Sequence, residues 1–187
     1  DDRGVAQDSW VHNSDKGTWK YYGDEEEPKL HTGWFEAVPS KELNSDDHEN
    51  GTTHWYYANS KGEITIPTAD GEVGVVKTID GKSYLFNSDG EMVTGLRILT
   101  YDGSKITNIS SEVDTADTVK NMNSDTMKLV YFESNGAAKT GTTTITLDGT
   151  SYTFSFKSNG SPRGVGETGI SDGYIYQNGL RLTADED

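Results

Sequence analysis

The strongest constraint on this chain is a recurring unit: alternating aromatics, a polar turn closed by Gly, then a short return segment. Two copies are Trp55-Tyr56-Tyr57-Ala58-Asn59-Ser60-Lys61-Gly62-Glu63-Ile64 and Ser83-Tyr84-Leu85-Phe86-Asn87-Ser88-Asp89-Gly90-Glu91-Met92. Shorter copies are Val130-Tyr131-Phe132-Glu133-Ser134-Asn135-Gly136, Phe154-Ser155-Phe156-Lys157-Ser158-Asn159-Gly160 and Tyr174-Ile175-Tyr176-Gln177-Asn178-Gly179. Trp19-Lys20-Tyr21-Tyr22-Gly23 reads as a first member with an acidic turn after it. The turn glycines Gly62, Gly90, Gly136, Gly160 and Gly179 are separated by 28, 46, 24 and 19 residues. The long gap predicts a degenerate copy between Gly90 and Gly136, and the unit length suits a hairpin plus its connection.

Each unit has a physical basis. Alternation places Trp55 with Tyr57, and Tyr84 with Phe86, on one face of a strand. In Asn87-Ser88-Asp89-Gly90 the Gly accepts positive φ and the Asn and Asp side chains can bond to nearby backbone, a strong hairpin turn. A return strand follows at Glu91-Met92-Val93, and Thr94-Gly95 hands the chain on. The same Thr-Gly step recurs at Thr32-Gly33 and Thr140-Gly141. An isolated hairpin is marginal in water, so the motif must repeat to bury its aromatic faces. The expected fold is all-β, an array of short β-hairpins forming an irregular β-solenoid. The expected division is N-terminal repeats with acidic insertions over 1–106, an insertion or linker over 107–127, and C-terminal repeats over 128–187.

The interruptions are polar. Asp24-Glu25-Glu26-Glu27-Pro28 reads as an acidic loop and residues 39–51 as another. In 107–125, Ser110-Ser111-Glu112 could cap a short helix whose apolar face is Val113, Ala116, Val119 and Met122, the alternative being an irregular loop. Residues 142–156 return to plain β alternation with a turn at Asp148-Gly149. Trp10 to Gly17 reads as half a hairpin acting as a cap, and 184–187 as a frayed tail.

Composition fits thin sheets with small local cores. Hydrophobic residues are 32% of the chain, low for one large core, while Gly numbers 21 and Tyr 10. The aromatic-rich segments argue against disorder. The formal charge of -15 repels phosphate backbones and anionic lipid, so neither nucleic acid nor a membrane surface is an expected partner. There is no Cys, which removes disulfides, structural Cys zinc sites and thiol nucleophiles. No stretch approaches a membrane span. A start at Asp1, without Met or signal peptide, fits a processed protein or an excised fragment.

The motif aromatic-Tyr-x-x-Asn-x-x-Gly-x-Met-x-Thr-Gly, preceded by Asp-Gly-Lys, resembles the cell-wall-binding repeat superfamily of Gram-positive surface proteins. That group takes in choline-binding, glucan-binding and clostridial toxin C-terminal repeats. The best match is residues 79–95, and 19–22, 33–34, 55–63 and 129–141 also match, about half to two-thirds of the chain. The resemblance implies hairpins in a left-handed solenoid and, in choline-binding members, a ligand held between consecutive hairpins. There the cage takes a Trp from a Gly-Trp step, a strand Trp and a Tyr. Only Gly33-Trp34 keeps that step here; the later ones read Gly95-Leu96 and Gly141-Thr142.

The candidate ligand-binding residues are Trp34, Trp55 and Tyr57, followed by Trp19, Tyr21 and Tyr84. Trp and Tyr rings stack on sugars and attract quaternary ammonium groups. The competing reading is that the same rings fill the core between hairpins. The acidic runs lack the spaced ligands of a calcium loop. His48 and His54 lie near Asp46 and Glu49, without His-Glu-x-x-His or His-x-His spacing, so no metal and no cofactor is expected. No nucleophile elbow, phosphate loop or dinucleotide fingerprint is present, and a thin array offers no cleft for paired carboxylates. The expected function is a non-catalytic extracellular module, associated with the cell surface, that attaches a secreted or surface protein to a cell-wall polymer or glucan. The alternative is a structural spacer or protein–protein interaction module.

Overall fold

A computed structural model describes residues 9–23, 26, 28–160 and 163–183. The expectations for Asp24, Glu25 and Glu27 of the acidic loop and for the 184–187 tail lie outside these residues. The chain divides into two compact units: Asp1–Asp70 with Phe86–Met92, and Gly71–Leu85 with Val93–Asp187. The described secondary structure is almost all β, in small antiparallel sheets. No described helix is long and apolar enough to cross a membrane.

Unit 1 is built on two hairpin sheets. Strands β1 (Trp10–Asn13) and β2 (Thr18–Tyr21) pair antiparallel through four residues, Trp10 opposite Tyr21. Trp10 to Gly17 is therefore the first strand and turn of a complete hairpin, not half of one, because Thr18-Trp19-Lys20-Tyr21 is its second strand. Strand β3 (Gly33–Ala37) and helix α1 (Ser45–Asn50) follow, then β4 (His54–Ala58), which pairs with β3. Helix α1 lies where a plain loop was expected. It has no buried residue, hence no apolar stripe to read, and it forms through its ends. Asn44 accepts from the Asp47 N–H as N-cap, and Gly51 closes the helix at φ 68°. The core of this unit is Trp19, Phe35, Ala37, Tyr56, Ala58 and Ile64.

Unit 2 holds two five-stranded sheets. In the first, β5 (Gly74–Ile79), β6 (Lys82–Asn87, its last two residues counting with unit 1), β7 (Gly95–Asp102), β8 (Lys105–Ile109) and β9 (Met127–Phe132) lie in the order β6-β5-β8-β7-β9. Between β8 and β9 comes α2 (Ala116–Lys120). The second sheet contains β10 (Gly141–Leu147), β11 (Thr150–Phe156), β12 (Gly169–Ser171), β13 (Tyr174–Gln177) and β14 (Leu180–Arg181), ordered β10-β11-β14-β13-β12. The β10–β11 hairpin turns at Asp148-Gly149, both at positive φ. Two separate cores fill this unit, one around Phe154, Phe156 and Val119, the other around Leu85, Leu99 and Phe132.

The 107–125 segment combines three things. Its first residues finish β8, the expected apolar face Val113, Ala116, Val119 and Met122 is buried, and α2 is short. The N-cap is Thr115, not the Ser110-Ser111-Glu112 run. Ser110 instead spends its hydroxyl on the Ile98 N–H, 12 residues back in β7. Tertiary pairing has outbid local capping there.

The aromatic units share one hydrogen-bond pattern. In the turn after β4, Asn59 N–H donates to Glu63 O, Gly62 N–H to Asn59 O and Thr65 N–H to Tyr57 O. The same three bonds recur as Asn87 to Glu91, Gly90 to Asn87 and Val93 to Leu85, and as Glu133 to Ala137, Gly136 to Glu133 and Lys139 to Tyr131. A longer loop carries the set as Lys157 to Val165, Gly164 to Lys157 and Glu167 to Ser155. Each return segment also reaches back to an earlier strand. Ile64 N–H donates to Trp19 O and Met92 N–H to Trp55 O in unit 1, Ala138 N–H to Ser83 O and Gly166 N–H to Leu129 O in unit 2. These four bonds answer the instability of a lone hairpin.

Candidate functional site

The β3–β4 hairpin sorts its side chains by alternation. Phe35, Ala37, Tyr56 and Ala58 face the core, while Trp34, Glu36, Trp55 and Tyr57 share the other face. Trp34 and Tyr57 are register partners, their rings 5.2 Å apart and edge-on at 68°. Trp34 also lies over the buried Phe86 ring, 5.8 Å away. Trp55, opposite Glu36, is 44% exposed. Three of the six expected residues thus form one strip with Glu36 at its end, and neither Trp is fully buried. Such a strip can offer stacking faces beside a carboxylate.

Trp19 and Tyr21 belong to a different place. With Trp10 and His12 they line a groove of about 560 Å³ whose far wall is the 38–42 segment. The Trp10 indole N–H donates to Val38 O at 2.8 Å, and His12 stacks on Trp19 at 4.2 Å and 7°. Trp19 is 8% exposed and also serves the core. Tyr84, half-buried in β6, belongs to unit 2 and to neither grouping.

A polar cluster in unit 1 draws on α1, β4 and the turn after β6. His54 Nε2 lies 2.9 Å from Asp47 Oδ2 and 3.5 Å from Glu91 Oε1. The three donor atoms all lie within 4.8 Å of one another, close enough to hold a cation together. Asn44 Nδ2 donates to Asp47 Oδ2 at 2.9 Å and to Glu91 Oε1 at 3.0 Å. Asn87 Nδ2 donates to the other Glu91 oxygen at 3.0 Å. Beside the cluster, burial and the charge of Glu91 hold the Asp89 carboxyl above its ordinary range. Burial pushes the Tyr56 hydroxyl far up as well, with Glu91, Asp89 and Asp47 adding to it. That hydroxyl is buried and has no hydrogen-bond partner among the described residues.

Sequence reasoning missed this cluster. It placed His54 near Asp46 and Glu49, whereas the folded partners are Asp47 and Glu91. Glu91 carries no local mark, because it follows the same Asn-x-x-Gly turn as Glu63, which is only partly buried. A usable signal was the Asn44 to Asp47 spacing of a helix cap, which turns Asp47 back toward β4.

No family model matches the chain, and no curated relative does. Among solved structures it is similar to choline binding protein F from Streptococcus pneumoniae, at 21% identity over 94% of this chain and 47% of that one, TM-score 0.33. A pneumococcal cell wall endolysin from phage Cp-1, complexed with choline, is 17% identical over 95% of this chain and 37% of that one, TM-score 0.36. Truncated alternansucrase from Leuconostoc mesenteroides is 17% identical over 89% of this chain and 10% of that one, TM-score 0.33. This chain spans less than half the length of each.

Proposed function

We propose that the chain is a non-catalytic, extracellular binding module that attaches a secreted or surface protein to a cell-envelope polymer or glucan. Its hairpins would follow one another as a short irregular β-solenoid within each unit. The observation that carries the reading is the Trp34–Tyr57–Trp55 strip, with Trp55 exposed on the face that carries the other two. A core-filling role alone does not call for a Trp at that position. The groove beside Trp19 and Tyr21 supplies a second shallow surface, and Tyr84 a third position on another hairpin. Rings at such sites stack on sugar faces or attract quaternary ammonium groups, each weakly, and several together give useful avidity.

The test is co-sedimentation with purified Gram-positive cell walls, with and without teichoic acids, and with insoluble α-glucan. The protein is expected to pellet with one polymer, and Trp34→Ala or Trp55→Ala to release it. A protein that stays in the supernatant with every polymer ends the reading.

A protein-interaction role has its own observation. Ile170 and Ile175 are register partners on the β12–β13 hairpin of unit 2, 80% and 55% exposed. If the polymers fail, this apolar edge is where a protein partner would be sought.

A further inference from the structure

We propose that Asp47, His54 and Glu91 bind one divalent transition-metal ion, Zn²⁺ by preference, which pins the 87–91 turn to α1 and β4. The donor geometry is the first support. Bonds of about 2.0–2.1 Å set tetrahedrally place neighbouring donors about 3.3 Å apart. The separations of 2.9 and 3.5 Å from His54 Nε2 to the two carboxylates bracket that value.

Charge is the second. The Asp47 and Glu91 carboxylates both face the one His54 ring nitrogen, at 2.9 and 3.5 Å. A dication with a neutral His54 would balance Asp47 and Glu91.

The third support is independent of the cluster's own bonds. Tyr56 stands two residues after His54 on the same face of β4, and its ring is fixed by Phe35 at 5.5 Å and Trp10 at 5.0 Å. Its hydroxyl is fully buried and has no hydrogen-bond partner among the described residues. A buried hydroxyl without a partner is costly. A water on the open position of a three-ligand ion is the kind of partner it lacks.

The supporting bonds suit a metal site. Asn44 donates to the Asp47 and Glu91 oxygens that face His54, and Asn87 donates to the other Glu91 oxygen, so both carboxylates are held in place by amides, as outer partners hold metal ligands. The side chains of Asp47 and His54 are 31% and 25% exposed, so an ion can enter from solvent. One nitrogen and two oxygens favour Zn²⁺ over Ca²⁺, which takes six to eight oxygens.

The experiment is calorimetric titration of the chelator-stripped full chain with Zn²⁺ and Ca²⁺, paired with thermal unfolding. Expected are one Zn²⁺ per chain, a raised Tm, and no displacement by millimolar Ca²⁺. His54→Gln is expected to weaken Zn²⁺ binding at least tenfold and to abolish the Tm rise. Far-UV circular dichroism of the stripped variant shows that it is folded. If it is not, Glu91→Gln is titrated in its place with the same expectation. Zn²⁺ uptake that is absent, non-stoichiometric or unchanged in the folded variant overturns the proposal.

Discussion

Asn87 grips Glu91 by both ends of its amide: Oδ1 accepts the Glu91 backbone N–H at 2.9 Å, and Nδ2 donates to Glu91 Oε2 at 3.0 Å. Asn59 holds Glu63 in the same way, at 3.0 Å and 3.0 Å. The difference is burial, since Glu91 is 6% exposed while Glu63 is only partly buried. Water can replace the lost amide at Glu63 and not at Glu91. Asn87→Ala is therefore expected to destabilise the protein by about 2 kcal/mol, within the range for an unsatisfied buried polar group. Asn59→Ala should cost less. Urea unfolding of the two variants side by side measures this, and equal losses would contradict the burial argument.

Trp55 and Trp34 should separate under mutation. Trp55 is 44% exposed, while Trp34 covers the buried Phe86 ring. Trp34→Ala is expected to cost roughly 2 kcal/mol, about half the loss at a fully buried aromatic. Trp55→Ala should leave stability within about 1 kcal/mol of the parent. If the strip binds polymer, both variants lose binding, and only Trp34→Ala lowers the unfolding midpoint strongly. A Trp55→Ala that unfolds as readily would show that Trp55 is core rather than surface.

The hairpins were legible because their signals are local. Asn-Ser-Lys-Gly and Asn-Ser-Asp-Gly, and the paired Asp-Gly step at 148–149, each place positive φ where a turn needs it. The buried set Val113, Ala116, Val119 and Met122 was legible from its spacing of three. Helix α1 was not, because it buries nothing and rests on caps. The candidate rings were legible as rings but not as groups: which face Trp55 takes depends on the β3–β4 register, and Trp19 meets its groove only through a segment some 20 residues on. Glu91 was least legible, since its environment comes from α1 and β4 while its own turn looks like that of Glu63.

Gly166 sits where only a hydrogen fits. Its N–H donates to Leu129 O at 2.8 Å, and it bridges Phe156. A Cβ there would lie 2.5 Å from Asn178 O and 2.8 Å from Gly179 N, both backbone atoms that cannot swing aside. Gly166→Ala is expected to cost about 1–3 kcal/mol, the range for forced overpacking. Gly103→Ala, with nothing within 4 Å of its Cβ, pays only for its φ of 61°. Thermal unfolding compares the two, and a Gly166→Ala no worse than Gly103→Ala would refute the close approach.

Asp89 is expected to weaken the fold at neutral pH. Burial is the main cause of its raised carboxyl, and Glu91 adds to it, while a Ser88 hydrogen bond and His54 act the other way. A carboxyl whose folded value lies above its unfolded one holds its proton longer in the native state. Its favourable contribution is complete below the ordinary carboxylate range, is lost as pH rises through the folded value, and stays lost above it. Asp89→Asn removes that loss and keeps the backbone N–H that Asn87 Oδ1 accepts. In chelator-stripped protein its Tm should exceed the parent's at pH 7, and the gap should close as pH falls toward 3. A gap that stays constant from pH 3 to pH 7 would mean that the stabilisation comes from something other than the Asp89 charge.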